Sequence, residues 1–399
     1  MSNVRNHQNV QPAIRFKGFT DAWEQRKFSE LFQKSSEKNT NLSFSRSQVL
    51  TGATMTDSDR DINSDDDYMK TYNVIHVGDI LFEGHTSKQF AFGRFVLDDY
   101  RDGIVSHVFD IYRPKAKMNL GFWKYYIHDE NVMRPILVRA TSNARMLNAL
   151  SSSEFLKQSV FVPSENEQAK IGNLLEQIDS TIALHQREVE NLQQLKKSLL
   201  QKMFVSGKDS VPRIRFAGFT DAWEQRKLGE LATFINGRAY KQKELLDHGK
   251  YKVLRVGNFY TNSEWYYSDL ELPEKYYADD GDLLYTWSAT FGPHVWNGGK
   301  VIFHYHIWKI VLSNRLKRDF AVQLLKNDQE QIMVGLNGST MIHITKSGME
   351  NKLVQIPATS EQEKIACFLG RLDATIALHQ RKVENLQNLK KSLLRLMFV

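Results

Sequence analysis

Two stretches of the chain hold a three-four spacing of core positions over four heptads. The remainder breaks into short runs in which apolar and polar residues alternate. In the first stretch Leu175, Ile182, Val189, Lys196 and Met203 share one core position, and Ile178, His185, Leu192 and Leu199 the other. In the second, Leu369, Ile376, Val383, Lys390 and Met397 alternate with Leu372, His379, Leu386 and Leu393. This spacing predicts two coiled-coil helices. Between Glu165 and Met203 there is no proline, and Gly172 is the only glycine. Pro163 and Ser164 supply the start signal, since neither leaves the first free amides unmet. A helix of that length reaches about 58 Å at about 1.5 Å per residue. The alternating runs, among them SHVFDIYRP at 106–114 and YHIWKIVLS at 305–313, predict strands of a half-buried sheet.

The chain repeats itself. PAIRFKGFTDAWEQRKF at 12–28 returns as PRIRFAGFTDAWEQRKL at 212–228. STIALHQREVENLQQLKKSLLQKMFV at 180–205 returns as ATIALHQRKVENLQNLKKSLLRLMFV at 374–399. The intervening stretches are related more weakly. Gly78-Asp79-Ile80-Leu81-Phe82 answers Gly281-Asp282-Leu283-Leu284-Tyr285, and VFVP ending at Pro163 answers VQIP ending at Pro357. The expected organisation is an internally duplicated α/β (α+β) chain. One globular module spans 12–162 and a helical spacer 163–205. A small polar linker follows at 206–211, then a second module at 212–356 and a second spacer at 357–399. A constant frame with changed loops suggests one task performed on two targets, the alternative being divergence by drift. An antiparallel helix pair sets the modules at opposite ends of a rod and is preferred; a parallel pair would crowd both at one end.

Composition adds boundaries. With 41% hydrophobic and 25% charged residues the chain is ordinary globular protein, which rules out a disordered tail or a fibre. Its one cysteine, Cys367, excludes an intramolecular disulfide and an all-cysteine metal site, and suits a reducing, cytoplasmic home. No apolar run has the roughly 18 residues of a membrane span, and the first residues lack the apolar core of a signal peptide. The net charge of +7 permits an acidic partner such as nucleic acid. It is spread thinly, without the basic excess of a stand-alone DNA clamp.

Catalytic signatures are missing. There is no GxxxxGK[ST] phosphate loop, GxGxxG, HExxH, or Asn/Asp-Pro-Pro-aromatic tetrapeptide. Asp328 with Glu350-Asn351-Lys352 sketches a metal-dependent nuclease centre. The first module has Leu156-Lys157-Gln158 at that place, and a solvated turn is the better reading. His185 and His379 on the helix seam read as polar register devices; without carboxylate or thiol company they make a poor metal site.

In this order the doubled IRFxGFTDAWEQRK, the Gly-Asp-(Ile/Leu)-Leu strand, and the entries VFVPSENEQAKI at 160–171 and VQIPATSEQEKI at 354–365 carry a likeness. The chain resembles the specificity subunits of Type I restriction–modification systems over nearly its whole length. The resemblance implies two target-recognition domains, each reading half of a split, asymmetric DNA site. It implies helical spacers that dock two modification subunits, which carry S-adenosylmethionine and methylate adenine at N6. Two restriction subunits add ATP- and Mg2+-dependent translocation and cleavage. This chain itself would be no enzyme and would hold no cofactor or metal. Modules on one face of B-DNA sit about one helical turn apart, about 34–36 Å, or a multiple of it. The expected target is two blocks of about 3–5 base pairs around a fixed gap of about 5–8. A self-sufficient nuclease or methyltransferase, and a coiled-coil scaffold without a DNA role, are the competing classes.

Base readout needs donors and acceptors on loops, with Arg and Lys for guanine and Asn and Gln for adenine. In the first module the candidates are His85, Thr86, Ser87, Lys88 and Gln89 after the Gly-Asp strand, with Arg94. The stretch from Arg139 to Asn148 adds Thr141, Ser142, Asn143 and Arg145. In the second they are Arg238, Tyr240 and Lys241, then Trp287, Ser288 and Thr290, then Asn337, Ser339 and Thr340. The acidic run from Asp57 to Asp67 would repel phosphates and is expected as a solvated loop away from DNA or as a loop toward a partner. Trp23 and Trp223 lie in identical repeats and cannot discriminate unlike half-sites. They, with Ile14, Phe16 and Phe19, are expected in packing or at a subunit contact.

Overall fold

The computed structural model describes residues 11–58, 65–144, 147–205, 209–260, 262–288, 290–334 and 344–398. The chain forms two compact units, Met1–Gln186 with Arg381–Val399, and Arg187–Gln380. Two helices of 39 residues, Glu165–Met203 and Thr359–Met397, contribute one part to each unit. Among the described residues no helix is long and apolar enough to cross a membrane.

The first unit is built on an antiparallel sheet of four strands, in the order Phe32–Ser35, Asp110–Pro114, Ile80–Glu83, Arg94–Leu97. Alternation is the reason these runs pair: Ile80 and Phe82 bury one face against Phe95, Leu97 and Tyr112, while Leu81 and Ile111 fill a small core on the other. The Gly-Asp motif starts its strand with a turn. Gly78 sits at φ +97°, which glycine adopts without strain. The Asp79 carboxylate accepts the His76 amide at 3.0 Å and pairs with Arg113 at 3.1 Å. An aromatic core of Phe28, Phe95, Tyr112, Phe122, Trp123, Tyr126 and Phe155 lies beneath. Phe95 and Phe155 stack with centroids 4.6 Å apart. Met397 and Phe398, from the far end of the sequence, complete this core.

The second unit has the same plan in other residues. Its four-stranded antiparallel sheet runs Ala232–Asn236, Ile307–Leu312, Leu283–Thr286, Gly292–Val295. Gly281 takes φ +88°, and Asp282 accepts the Asp279 amide at 2.8 Å. Its core gathers Phe234, Tyr285, Trp308, Phe320 and Leu369 with Leu200 and Met203 of the first long helix and Phe204 just after it.

The repeated motifs explain themselves as clasps at the helix entries. Glu24–Lys27 pairs with Ser159–Val162, and Glu224–Lys227 with Leu353–Ile356. The Arg15 guanidinium forks onto Glu167 at 2.8 and 2.7 Å, and Arg215 onto Glu361 at 2.7 and 2.8 Å. The neighbouring glutamines fold back, Gln168 donating to the Pro163 carbonyl at 3.0 Å and Gln362 to that of Pro357 at 2.9 Å. So the Glu-Gln pair of each entry serves two anchors, and the Ser164 hydroxyl accepts the Glu167 amide as a cap.

In each unit the two helix segments run in opposite directions. In the first, Leu175 shares the core of Met397 while Asp179 takes the Lys390 ammonium at 2.6 Å. In the second, Met203 shares the core of Ile365 while Lys196 binds Asp373 at 2.5 Å. The predicted seam residues are buried or half-buried along both helices, Leu175 and Leu369 fully so. His185 and His379 are half-buried there. Where it is described the acidic run is solvent-exposed. Asp57 pairs with Arg101, Asp65 caps the turn Asp66–Met69, and Asp66 pairs with Arg46, so local cations also meet it. Residues 59–64 lie outside the described residues.

Candidate nucleic-acid interface

In the first unit the candidate loop joins the strands Ile80–Glu83 and Arg94–Leu97. Glu83 and Arg94 face each other in register and form an ion pair of 2.7 Å that closes the loop's base. The Arg94 guanidinium also lies over Phe90, 5.3 Å from the ring centroid, and donates to the Ala53 carbonyl. Arg94 is therefore held in place, while the candidates His85, Thr86, Lys88 and Gln89 are exposed. The Ser87 hydroxyl accepts the Phe90 amide at 3.0 Å and shapes the turn. The ring of Phe90, packed against His128, holds it down.

The second candidate stretch is a hairpin and not an open loop. Thr141–Ala144 pairs with Leu147–Leu150 in antiparallel register. Short alternation hid it: four residues on each side give too little period to distinguish strand from coil. Arg139 lies in the last turn of the preceding helix Glu130–Ala140. Thr141 turns its hydroxyl back to the Leu137 carbonyl at 2.7 Å, while Ser142 is exposed. The Asn143 side chain and Arg145 lie outside the described residues. The hairpin is pinned to the first loop. The Asn148 amide donates to the Gly84 carbonyl at 2.9 Å, and its side chain to that of Ala91 at 3.1 Å. A Cβ on Gly84 would stand 2.2 Å from the Asn148 carbonyl oxygen, so only glycine permits this approach. The two candidate stretches thus form one surface.

In the second unit three stretches converge. Gly237 donates to the Ile307 carbonyl at 3.1 Å, and the Tyr305 amide to that of Arg238 at 3.0 Å. A Cβ on Gly237 would lie 2.3 Å from the His304 carbonyl oxygen. Arg238 forks onto Glu244 at 2.9 and 3.0 Å and holds that carboxyl down to about 2. Tyr240 is stacked on His304, and Lys241 is exposed. Trp287 stacks on Trp308 with centroids 5.7 Å apart, meets His306 edge-on, and donates to the Tyr305 carbonyl at 3.0 Å. Ser288 is half-buried and Thr290 exposed. Asn337, Ser339 and Thr340 lie outside the described residues.

The turn His304-Tyr305-His306 is hidden in sequence because the alternating run at 305–313 reads as strand from Tyr305 onward. The signal available was two histidines flanking a tyrosine between two apolar runs. Burial, with His306 and Arg255 nearby, pushes His304 down to about 4. It is neutral at physiological pH and offers one donor and one acceptor. His294, on the strand Gly292–Val295, stacks on Phe259 at 4.1 Å and is likewise driven to about 4 by burial and Lys326.

Charge chemistry elsewhere is spent on structure. Lys352 pairs with Asp328, and Glu350 with Lys346. Among the described residues no three His, Cys, Asp or Glu side chains converge as a metal site. The surfaces offer hydrogen-bond donors, acceptors and aromatic faces on hairpin ends, which is equipment for recognition.

That fold and those surfaces define a class. Residues 220–388 match the family model of the Type I restriction modification DNA specificity domain. The chain is 23% identical over 355 residues to a Methanocaldococcus jannaschii protein provisionally described as the type I restriction enzyme MjaX specificity subunit. The match spans 84% of this chain and 80% of that protein. It is 22% identical over 261 residues to the MjaVIII specificity subunit of the same organism, spanning 59% and 60% of the two chains. In fold it is similar to the crystal structure of the Type I restriction–modification S subunit from M. genitalium. The TM-score there is 0.61 at 14% identity, with 98% and 99% of the chains covered. Residues 220–388 thus carry the likeness of a Type I specificity domain, and the chain is similar along most of its length to Type I restriction enzyme specificity subunits. That likeness supports DNA recognition, not catalysis, as its role.

Proposed function

We propose that each unit reads one half of a bipartite, asymmetric DNA site. The chain thereby directs adenine-N6 methylation and restriction by partner subunits. The observation that carries this reading is the contrast at one end of a common sheet. In the first unit the hairpin end offers His85, Lys88 and Gln89; in the second it offers Trp287, with Tyr305 and His306 from the turn before the neighbouring strand Ile307–Leu312. Like frames with unlike readers suit unlike half-sites. The recognition domains are 12–162 and 212–356, internal duplicates, with spacers 163–205 and 357–399 and the linker 206–211 between. The spacers form an antiparallel two-helix coiled coil; Asp179–Lys390 and Lys196–Asp373 support that register. Two modification subunits bring S-adenosylmethionine. Two restriction subunits bring ATP and Mg2+. The complex works on double-stranded DNA in the cytoplasm.

The test is to co-express this chain with its modification subunit and map N6-methyladenine across the host genome. One new bipartite, asymmetric motif is expected. A continuous or palindromic motif refutes the two-reader assignment.

A further inference from the structure

The second unit carries a row of polar side chains that its own fold does not use. A smaller sheet there runs Tyr266–Ser268, Tyr251–Leu254, Val301–Phe303, Tyr277–Ala278. Its middle strands are parallel, with Val253 beside Ile302 and Leu254 beside Phe303. Alternation sends Leu254 and Phe303 into a core on one side, and Val253 and Ile302 into a cluster with Tyr240 and Tyr266 on the other. Arg255 and His304 come next, two residues after Val253 and Ile302, and so fall on the side of the two tyrosines. The contacts agree. The Arg255 guanidinium lies over the Tyr266 ring, 4.2 Å from its centroid, and Tyr240 stacks on His304. Both backbones are fixed: the Leu254 carbonyl accepts the His304 amide at 2.9 Å, and the Asn258 side-chain oxygen accepts the Arg255 amide at 3.0 Å.

The polar groups of this row have no protein partner. Among the described residues the Arg255 guanidinium meets no carboxylate and makes no hydrogen bond; its Nε is buried without an acceptor, and its two terminal nitrogens are not buried. The Tyr240 hydroxyl is likewise buried and unmet. The His304 ring makes no hydrogen bond among the described residues and packs on Tyr240, Tyr305 and His306. Arg215 and Arg226 also leave one nitrogen unmet, but each is paired with a glutamate. Leaving buried donors unmet is costly, and folding alone does not account for it here.

The row continues the candidate interface, since the Tyr305 carbonyl accepts the Trp287 indole. A phosphate surface gathers several free cations. This one sets a single unpaired guanidinium beside a neutral imidazole and a hydroxyl, the mixture of donors and acceptors that a base edge matches. Stacking on Tyr266 fixes the guanidinium plane, as a two-pronged contact requires. We propose that Arg255 is a specificity-determining residue of the second unit, its terminal nitrogens donating to O6 and N7 of one guanine in the major groove. Tyr266 is its positioning residue. This rests on the two-reader assignment above and names one base pair of one half-site.

The test uses the full chain co-expressed with its modification subunit. The wild-type methylation map gives both half-sites. Binding of the purified complex to duplexes altered at each position is then followed by fluorescence anisotropy. At one G·C position of one half-site, Arg255→Met is expected to cut discrimination about ten- to a hundredfold and to leave the other positions unchanged. Arg255→Lys keeps the charge without the fork and should lose the same position, which also decides the matter if the methionine variant does not fold. Tyr266→Leu should lower discrimination there about two- to tenfold, and Tyr266→Phe should leave it whole. A lysine variant with full discrimination overturns the assignment. So does a methionine variant that weakens all sequences equally and lowers the salt slope by about one, which would make Arg255 a phosphate contact. A bipartite motif in which no G·C position responds to Arg255 overturns this site and leaves the two-reader assignment standing. A continuous wild-type motif overturns that assignment, and the role of Arg255 with it.

Discussion

Removing Asp373 tests how the helix seam is held. Its carboxylate receives Lys196 at 2.5 Å, and Lys326 and Gln323 each at 3.0 Å. The two cations and the amide hold Asp373 below the ordinary carboxylate range, against the opposing effect of burial. Lys196 is in the reverse position: burial, with Lys326 beside it, depresses its ammonium below the ordinary lysine value. The pair is thus unequal. Asp373→Ala strands Lys196, whose side chain is only 13% exposed, beside a second cation. Breaking a fully buried pair costs about 3–5 kcal/mol; the 29% exposure of Asp373 reduces this to about 2–3 kcal/mol. Lys196→Met leaves Asp373 with two partners and places a flexible apolar chain in the seam, at a cost of about 1 kcal/mol or less. By calorimetry on the full chain, Asp373→Ala should lower the transition of the second unit by about 5–10 °C, and Lys196→Met by no more than about 3 °C. Because the folded Asp373 carboxyl is depressed, its contribution is whole above the unfolded value near pH 4 and disappears as the pH falls through the lower folded value. If Lys196→Met costs as much as Asp373→Ala, the account of an overcommitted carboxylate and a strained ammonium is wrong.

Acid should weaken the second unit through His294. Its folded value of about 4 lies below the unfolded value near 6.5, so its stability is whole above about pH 6.5 and is lost toward pH 4. Between pH 7 and pH 5 this amounts to about 2 kcal/mol, and His294→Gln should flatten the urea-midpoint profile in that window; an unchanged slope removes His294 as the cause. Gly237→Ala sets a Cβ against the His304 backbone, which should cost about 2–3 kcal/mol and blur the half-site read by the second unit in methylation maps while sparing the other. Equal insertions in Glu165–Met203 and Thr359–Met397 should lengthen the gap between half-sites and leave both blocks unchanged; altered blocks with an unaltered gap would end the ruler idea.

What the sequence determined by itself was whatever short-range periodicity encodes. The first long helix begins at Glu165 and ends at Met203, where proline and the three-four spacing put it. The Gly-Asp strands follow from a turn that needs a positive φ and a carboxylate three residues from an open amide. The doubled motifs disclosed the repeated plan because identity needs no structure to be seen. The tertiary structure decided which candidate side chains are exposed and which are held by neighbours. Arg94 and Arg238 carry the chemistry of guanine readers, yet each is held by a glutamate, Glu83 across a strand pair and Glu244 across a turn. No local pattern declares such pairings, because they depend on strand register and on how the chain returns. The docking of Asn148 on Gly84, the His304–His306 turn, and the insertion of Phe398 among Phe122 and Tyr126 are of the same kind. Each joins residues remote in sequence, where burial and backbone approach, not periodicity, set the contact.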